Sequence, residues 1–453
     1  MAEEWSSSLD VHLDWTPGTG RHGLAKAIRA AIRDGRWRSG SVVPSTRALA
    51  HDLGVARGTV TRVYSDLAAE GYLQTSQGAP TRVATAGAQA LSQPRPLAVR
   101  EPTMRWNLLP GRPDSALFPR DVWQASTKRV LQHTHNETFG YGEPRGSSVL
   151  RATLSAYLAR SRGVLTDPAR IVICAGFSHA MTVLGHALQD VGISEMAFED
   201  PSFHRFRDLA ARAGQRITGI PVDENGMRVT ELTSPAVVVT PAHQSPVGVT
   251  LSPDRRTALT QTGAVIVEDD YDGEFRYDRQ QVGALQALAP ERVIYAGTAS
   301  KTLAPSLRLG WLVLPRSLVD PVIAALAASG AQPPLLDQLV LADMISTGAY
   351  DRHVRRCRIE YRSRRDRLAA ALPQHLIPQG ISAGLHLMLS LSEAEESRVP
   401  VVARRHSLAV ATVTPMVMRE ERHGLIVGYG APSRNAFSGA LEALLGVLRE
   451  IRE

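Results

Sequence analysis

Five short, unbroken apolar runs constrain this chain more than anything else in it: Ile171-Val172-Ile173-Cys174, Val237-Val238-Val239, Val265-Ile266-Val267, Val293-Ile294-Tyr295 and Trp311-Leu312-Val313-Leu314. β-Branched residues without polar alternation suit strands covered on both faces. Helical stretches separate the runs, so they predict an α/β domain built around a mostly parallel sheet. Ligand sites in that architecture gather at the carboxyl ends of the strands. The chemistry is therefore expected in the residues just past the end of each run.

After Cys174 comes Ala175-Gly176-Phe177-Ser178-His179-Ala180, a glycine and a serine leading into a helix, where backbone N–H groups and the helix dipole can cradle a phosphate. After Val239 come Thr240-Pro241-Ala242-His243-Gln244-Ser245-Pro246-Val247-Gly248, polar residues pinned between prolines. After Val267 stands Glu268-Asp269-Asp270-Tyr271-Asp272. A carboxylate there could hold a pyridine nitrogen protonated, and a tyrosine two residues on could hydrogen-bond a phenolic ring oxygen. Each segment taken singly also reads as an ordinary turn. The next strand end carries Gly297-Thr298-Ala299-Ser300-Lys301-Thr302-Leu303, followed by Arg308-Leu309-Gly310. Lys301 is one of three lysines (Lys26, Lys128, Lys301) among 51 basic residues. A lysine amine can lose its proton and attack a carbonyl, which a guanidinium cannot do. The hydroxyl residues before it and Arg308 after it suit a phosphate, and the phosphorylated aldehyde held on lysines is pyridoxal 5′-phosphate.

A chain of 453 residues predicts two or three domains, and its 43% apolar content is ample for buried cores. Upstream of the first run, Leu24, Ala27, Ile28, Ala31 and Ile32 recur at helical spacing between Gly23 and Gly35. Pro44-Ser45 offers an N-cap for a second helix, Thr46 to Leu53, closed by Gly54. A third runs from Arg57 to Glu70 with Val60, Val63, Tyr64, Leu67 and Ala68 on one face. Two short helices meeting at a glycine turn form a helix-turn-helix, whose second helix enters the major groove. The opposite face of that helix carries Arg57, Thr59, Thr61 and Arg62, which can donate to phosphates and base edges. Gly71-Tyr72-Leu73, Thr75-Ser76-Gln77-Gly78 and Thr81-Arg82-Val83 then read as strand, turn and strand, which is a wing. Net charge is +7, yet residues 1–85 hold only ten Lys/Arg against eight Asp/Glu, so any DNA contact rests on a few placed residues.

Residues 85–104 lack a hydrophobic period and are rich in Ala, Pro and Ser, a semi-extended tether between a first domain, 1–84, and a second, 105–453. Cys174 and Cys357 lie far apart, form no metal-ligand cluster and fit a reducing compartment. The N-terminus lacks a signal-peptide pattern, and no apolar run reaches about 18 residues, so a soluble cytoplasmic protein without metal is expected.

Val43-Pro44-Ser45-Thr46-Arg47, Leu53-Gly54-Val55-Ala56-Arg57-Gly58-Thr59-Val60 and Glu70-Gly71-Tyr72-Leu73 together resemble the winged helix of the GntR family of transcriptional regulators. The resemblance implies contact with double-stranded operator DNA by Arg47, Arg57, Thr59, Thr61 and the wing glycine Gly78. Ala56 and Gly58 stand where relatives often carry Ser or Thr. The strand-end segments, in their order, resemble fold-type I pyridoxal-phosphate aminotransferases over residues 105–450. That fold implies a large domain with a mostly parallel sheet and a smaller C-terminal α+β subdomain. Carried over by motif, Lys301 would form the Schiff base with pyridoxal phosphate, Asp269 would pair with the pyridine nitrogen and Tyr271 would contact the ring oxygen. Gly176, Phe177, Ser178, Thr298 and Arg308 would bind the phosphate. Phe203, in Glu199-Asp200-Pro201-Ser202-Phe203, would stack on the ring, and His243 falls where many aminotransferases carry the asparagine that touches the ring oxygen.

The fusion of these two domains is the architecture of the MocR family of regulators. Pro110-Gly111-Arg112-Pro113-Asp114 with Leu117-Phe118-Pro119, Tyr141-Gly142-Glu143-Pro144-Arg145-Gly146, and the helix His353-Val354-Arg355-Arg356 through Tyr361-Arg362-Ser363-Arg364-Arg365-Asp366 resemble that family. Most charges of the arginine-rich helix read equally as a solvated face. The resemblance implies a homodimeric regulator whose second domain senses pyridoxal phosphate or its adduct with an amine. Tyr141 is either a contact to the partner's phosphate or a packed core aromatic. Two alternatives stand beside this reading: a working aminotransferase with a DNA-binding appendage, and a sensor of an amino acid or amine such as GABA or taurine. Amino-acid aminotransferases anchor the substrate carboxylate on an arginine before a Leu-Gly-Phe-like segment. Here the segment is Leu425-Ile426-Val427-Gly428-Tyr429-Gly430, with isoleucine in that place and Arg422, Arg434, Arg205 or Arg207 left to substitute. The change argues against turnover beyond a half-transamination and favours pyridoxal phosphate itself as the signal, as in the PdxR-like branch, with vitamin B6 metabolism as its target.

Overall fold

A computed structural model describes residues 13–76, 78–84, 104–277, 282–419 and 421–452. The expected tether lies almost wholly outside the described residues, as does Gln77 of the wing. The chain divides into two compact units, Met1–Thr103 and Met104–Glu453.

In the first unit, α1 (Gly20–Arg33), α2 (Thr46–Asp52) and α3 (Arg57–Ala69) precede a hairpin of β1 (Leu73–Gln74) and β2 (Arg82–Val83), with Leu73 opposite Val83. Leu24, Ile28 and Ile32 of α1 pack on Val60, Val63 and Leu67 of α3, with Trp37 and Val83 closing the cluster. Each such side chain stabilises the fold by roughly 1.5–3 kcal/mol when fully buried. Ser45 caps α2 by accepting from the Ala48 N–H at 3.1 Å. Arg29 grips Glu70 with two bonds of 2.7 and 2.5 Å, tying α1 to the end of α3. Gly54, at φ 65°, makes the left-handed turn between α2 and α3 that residues with a Cβ rarely adopt.

The second unit begins with β3 (Trp106–Asn107), α4 (Arg120–His133) and α5 (Ser148–Arg162). The alternating region comes next: β4 (Ile171–Cys174), α6 (Phe177–Asp190), β5 (Glu195–Asp200), α7 (His204–Arg212), β6 (Arg216–Asp223), β7 (Gly226–Met227), β8 (Ala236–Val239), α8 (Pro253–Gln261), β9 (Val265–Asp269), β10 (Val293–Thr298) and β11 (Gly310–Val313). These eight strands form one sheet in the order β4-β11-β10-β9-β8-β5-β6-β7. The pairs from β10 through β6 are parallel, whereas β11 runs antiparallel to both its neighbours and β7 antiparallel to β6. The sheet is thus mixed and mostly parallel. The apolar runs lie in β4 and β8 to β11, while two further strands, β5 and β6, escape that pattern. β5 reads Glu-Met-Ala-Phe-Glu-Asp and β6 is broken by Gly219 and Pro221, so neither presents an apolar run.

Beyond the sheet come α9 (Val319–Ser329), α10 (Leu335–Ser346) and α11 (Ala349–Ala371). The C-terminal part holds β12 (Pro378–Gln379), β13 (His386–Ser390), α12 (Glu393–Arg405), β14 (Leu408–Ala409), β15 (Ala411–Thr412), β16 (Gly424–Gly428) and α13 (Phe437–Glu450). A four-stranded sheet, β12-β13-β16-β15, backs onto α13 through Leu387, Leu389, Leu425, Val427, Leu444 and Val447, the smaller α+β subdomain. β3 pairs in parallel with β14, so the first strand after the tether belongs to this C-terminal part. The helix α11 is not a solvated face throughout. Arg364 is 1% exposed, lies 2.7 Å from Asp114 and donates to the Gly430 and Pro432 carbonyls at 3.1 and 2.5 Å. Among the described residues no helix is long and apolar enough to cross a membrane, and no cluster of His, Cys, Asp and Glu could hold a metal ion.

Candidate cofactor site and DNA-binding face

The carboxyl ends of the strands open into a cavity of about 660 Å³. Gly176, Phe177, Ser178, Phe203, Asp269, Tyr271, Thr298, Lys301 and Arg308 all line it, so residues spread from position 176 to position 308 converge as their order at the strand ends suggested. The topology accounts for this, since β4, β5, β9 and β10 all deliver their carboxyl ends to one rim.

At one end of the cavity Gly176, at φ 78°, begins the fourteen-residue α6. A Cβ on Gly176 would sit 3.5 Å from Arg308 Nη1, and one on Gly310 would clash with the Gly176 Cα at 2.9 Å. The two glycines let the helix N-terminus and a guanidinium approach one recess. Arg308 itself holds a left-handed backbone, φ 52°, and its guanidinium makes no hydrogen bond or ion pair among the described residues. Thr298 accepts from the Ser300 N–H at 3.1 Å and donates its hydroxyl to Leu309 O at 3.1 Å, fixing the loop that carries Ser300 and Lys301 into the wall. Free N–H groups, hydroxyls and an unpaired arginine make an anion cradle of phosphate size.

In the middle stands Lys301. Its Nζ donates to the Gly111 carbonyl at 2.7 Å. Burial pushes its pKa below the ordinary lysine value, against the pull of Asp269 and Asp272, and so favours the neutral, nucleophilic amine. Asp269, at the end of β9, is 7% exposed and its carboxylate makes no hydrogen bond among the described residues. Burial raises it well above the usual carboxylate range, with Lys301 as the opposing charge. A buried carboxylate that lacks donors is poorly matched alone and well matched to a protonated ring nitrogen. Phe203, 36% exposed at the start of α7, offers a ring face on the wall. Together an amine, an anion cradle, a lone buried carboxylate and an aromatic wall fit pyridoxal 5′-phosphate.

His243 does not line the cavity. It stands behind Tyr271, whose hydroxyl donates to His243 O at 3.2 Å and lies 3.1 Å from Nδ1, while Nδ1 lies 2.9 Å from Asp272 Oδ2. Ser245, two residues on, lines the wall instead. The role expected of His243 is therefore one of orienting Tyr271. Tyr141 is fully exposed, which removes the reading of it as a packed core aromatic. Of the arginines expected to replace a carboxylate anchor, none lines the cavity. Arg207 donates to Met416 O at 2.6 Å and Arg422 to Val222 O at 2.7 Å. Ile426 is fully buried among Val247, Met388 and Val413.

The cavity also holds residues that sequence reasoning passed over as site members. Arg112 lines it and makes no hydrogen bond or ion pair among the described residues. His386, 3% exposed at the start of β13, has no well-aligned hydrogen-bond partner on either ring nitrogen, although the Pro246 backbone runs beside it. Burial, with His243 adding to it, pushes its pKa down to about 3, so the ring is neutral. Glu199, raised to about 7 by burial, accepts from the Thr240 N–H and hydroxyl at 2.9 and 2.5 Å. The motif Pro110-Gly111-Arg112 was visible in sequence as a family segment. For His386, a lone histidine in an apolar strand, no signal was available.

In the first unit Arg47, Arg57, Thr61, Arg62 and Gly78 are exposed, and Thr59 is half-buried. Arg47 and Arg62 make no hydrogen bond or ion pair among the described residues, and Arg57 makes only a long contact of 3.4 Å to Thr46. Thr61 turns its hydroxyl back to Arg57 O at 3.0 Å, which leaves its oxygen lone pairs, rather than its proton, for an outside partner. Ala56 is the N-cap of α3 and supplies no side-chain acceptor, so the first turn has no side-chain cap, although the Thr59 N–H donates to the Ala56 carbonyl at 2.9 Å. Unpaired guanidinium groups and a helix start without a side-chain cap suit phosphate contact.

Residues 21–83 match the family described as bacterial regulatory proteins of the gntR family, and residues 111–434 match the aminotransferase class I and II family. The chain is 34% identical to a probable rhizopine catabolism regulatory protein, MocR, of Rhizobium meliloti, over 83% of this chain and 82% of that one. It is 30% identical to the pyridoxine biosynthesis regulator PdxR of Corynebacterium glutamicum, over 90% and 91% of the two chains. Among solved structures, an archaeal alanine:glyoxylate aminotransferase superposes with a TM-score of 0.70 at 25% identity, over 77% of this chain and 90% of that one. A gntR-type DNA-binding head joined to a pyridoxal-phosphate domain of the aminotransferase class places this chain in the MocR subfamily of GntR-type transcriptional regulators.

Proposed function

We propose that this regulator answers to pyridoxal phosphate itself, that Lys301 is its attachment point, and that its targets include genes of vitamin B6 metabolism. The hydrogen bond from Lys301 Nζ to the Gly111 carbonyl carries the reading. Gly111 lies just past β3, the first strand after the tether, so the amine that bonds the cofactor is the donor holding the segment nearest the DNA-binding head in sequence. When bound, the cofactor supplies an aldehyde carbon to that amine and a ring able to hold an electron pair. Asp269 then keeps a proton at the ring nitrogen, Tyr271 orients the ring oxygen, and Gly176, Phe177, Ser178, Thr298 and Arg308 hold the phosphate. Engaging Lys301 would take that donor from the Gly111 carbonyl, which is how cofactor occupancy would reach the segment after β3. The apolar packing of Ile426 supports sensing over efficient turnover, since no arginine stands there to orient an amino-acid carboxylate.

Fold-type I sites and paired DNA half-sites both favour two copies. Tyr141, fully exposed two residues from the half-exposed Phe139 (52%), suits a contact across a homodimer to the partner's phosphate. A second reading rests on Arg112. An unpaired guanidinium in the cavity wall would hold the acid group of an amine effector, so an acidic amine could be read in addition to the cofactor.

Binding to a promoter fragment that the protein retains, measured for the wild type and Lys301→Ala with and without pyridoxal phosphate alongside visible absorbance, tests the proposal. The expected result is a cofactor-dependent change in DNA binding in the wild type only. Four identical binding curves, with no visible band in the wild type, would sink it. Rapid multiple-turnover keto-acid production with DNA binding indifferent to cofactor would favour the enzyme instead.

A further inference from the structure

A second cavity, of about 670 Å³, opens in the effector unit and shares no wall residue with the cofactor site. Arg160 and Arg162 reach it from the end of α5, Arg276 from the loop beyond β9, and Arg352, Arg355 and Arg358 from one face of α11. Arg362 extends that stripe by another turn. Among the described residues the wall sets two carboxylates, Asp351 and Glu274, against these seven guanidinium groups, of which Arg276 is itself partnered. Arg162 is already matched, bidentate, to Asp270 at 2.6 and 2.9 Å, and Arg160 to Asp351 at 3.0 Å. Arg358 donates to the Glu274 carbonyl at 2.8 Å, and the nearest carboxylate to Arg362 is Asp366 at 3.9 Å. Arg352, Arg355 and Arg358 make no ion pair among the described residues.

Such crowding is not the habit of this unit, where Arg129, Arg255 and Arg364 each hold a carboxylate. Like charges gathered in a recess repel one another and focus the field outward, which raises the local concentration of anions. Three consecutive turns of α11 present planar forks that match oxyanions two oxygens at a time. Tyr157, Val354 and Ile359 add an apolar flank for an organic body.

We propose that this cavity is a second ligand site, for a small molecule carrying two or more linked phosphates, gripped by Arg352, Arg355 and Arg358. It is independent of the cofactor site and gives the regulator a second input. Inorganic pyrophosphate, titrated by calorimetry into the full-length, cofactor-loaded protein at constant ionic strength, tests it, because loading first fills the cradle at Arg308. Saturable binding is expected, and the double variant Arg352→Gln/Arg355→Gln should weaken it at least about tenfold, the scale of losing charge-assisted contacts. Both positions are exposed, so the bound-cofactor absorbance and the melting temperature without pyrophosphate should hold steady. Undiminished binding by the variant, or no saturable binding by the wild type, overturns the proposal. So does a variant that loses affinity for duplex DNA when the wild type binds no pyrophosphate, since the arginine face is then a surface for DNA phosphates.

Discussion

At the scale of single residues, the cofactor cavity is a set of groups each poorly satisfied alone. Asp269 is the clearest, a buried carboxylate without a hydrogen bond among the described residues. Asp269→Asn should weaken pyridoxal phosphate binding by roughly tenfold or more in an absorbance titration, the loss of a charge-assisted contact. The same variant should melt no lower, and even higher, than the wild type without cofactor, because it removes a buried carboxyl whose ionised form burial penalises. A variant less stable without cofactor would mean that Asp269 has a structural partner. Glu199 sets a pH dependence. Its pKa in the folded protein is raised to about 7 from the ordinary 4.5, so the folded state binds more protons than the unfolded state between those values. Stability of the cofactor-free protein should therefore fall as pH rises from about 4.5 to about 7 and level off beyond, with Glu268 and Glu274 adding the same sign. Glu199→Gln should flatten that slope in melting curves; an unchanged slope would remove Glu199 as a cause. Lys301 and Asp269 were legible because their chemistry is specific and each follows an apolar run. His243 misled because two residues of register along an extended loop exchange a wall position for one behind it, and only the folded loop shows Ser245 in front.

Among the elements, α3 and β16 carry the sharpest tests. Ala56 has φ −61° and ψ 134°, the extended geometry of an N-cap, but no side-chain acceptor. Ala56→Ser should stabilise the DNA-binding unit by about 1 kcal/mol. In a unit of this size that corresponds to roughly 4–8 °C in its melting transition. No upward shift would mean that its first-turn amides are already satisfied. Ile426 sits in β16 opposite Met388, fully buried. Ile426→Arg should not restore a carboxylate anchor. It should cost about 3–5 kcal/mol, the penalty of an unpaired buried charge, readable as a lower denaturant midpoint. Gain of transaminase turnover at unchanged stability would show that the side chain can swing into the cavity. The apolar strands were legible because burial on both faces leaves a continuous run. β5 and β6 were not, since acidic residues at the end of β5 and Gly219 and Pro221 in β6 interrupt the pattern while tertiary pairing still makes them strands. In α11 charge alone suggested a solvated face, and only packing against Asp114 shows that Arg364 is buried.

For the whole molecule, the fusion of two domain types was readable from local motifs, whereas the count of copies was not, because an exposed aromatic looks like any other in sequence. If Tyr141 reaches a partner's phosphate, Tyr141→Ala should loosen pyridoxal phosphate binding by a few-fold to about tenfold without moving the melting temperature of the cofactor-free protein. Sedimentation should show dimers in the wild type, and a strictly monomeric wild type with full cofactor affinity would remove that contact. One topological detail bears on how such a molecule could work. β11 runs back along β10, so Lys301 and Arg308, which would hold the aldehyde carbon and the phosphate on neighbouring positions of the ring, belong to the single short connection between them. The cofactor would thus be riveted to one plate, the large sheet, at two points. The opposite wall, with Gly111 after β3 and His386 on β13, comes from strands stitched to the C-terminal subdomain. A rivet in one plate can be felt by another sliding over it without working loose, so retention of the cofactor and its readout need not trade against each other.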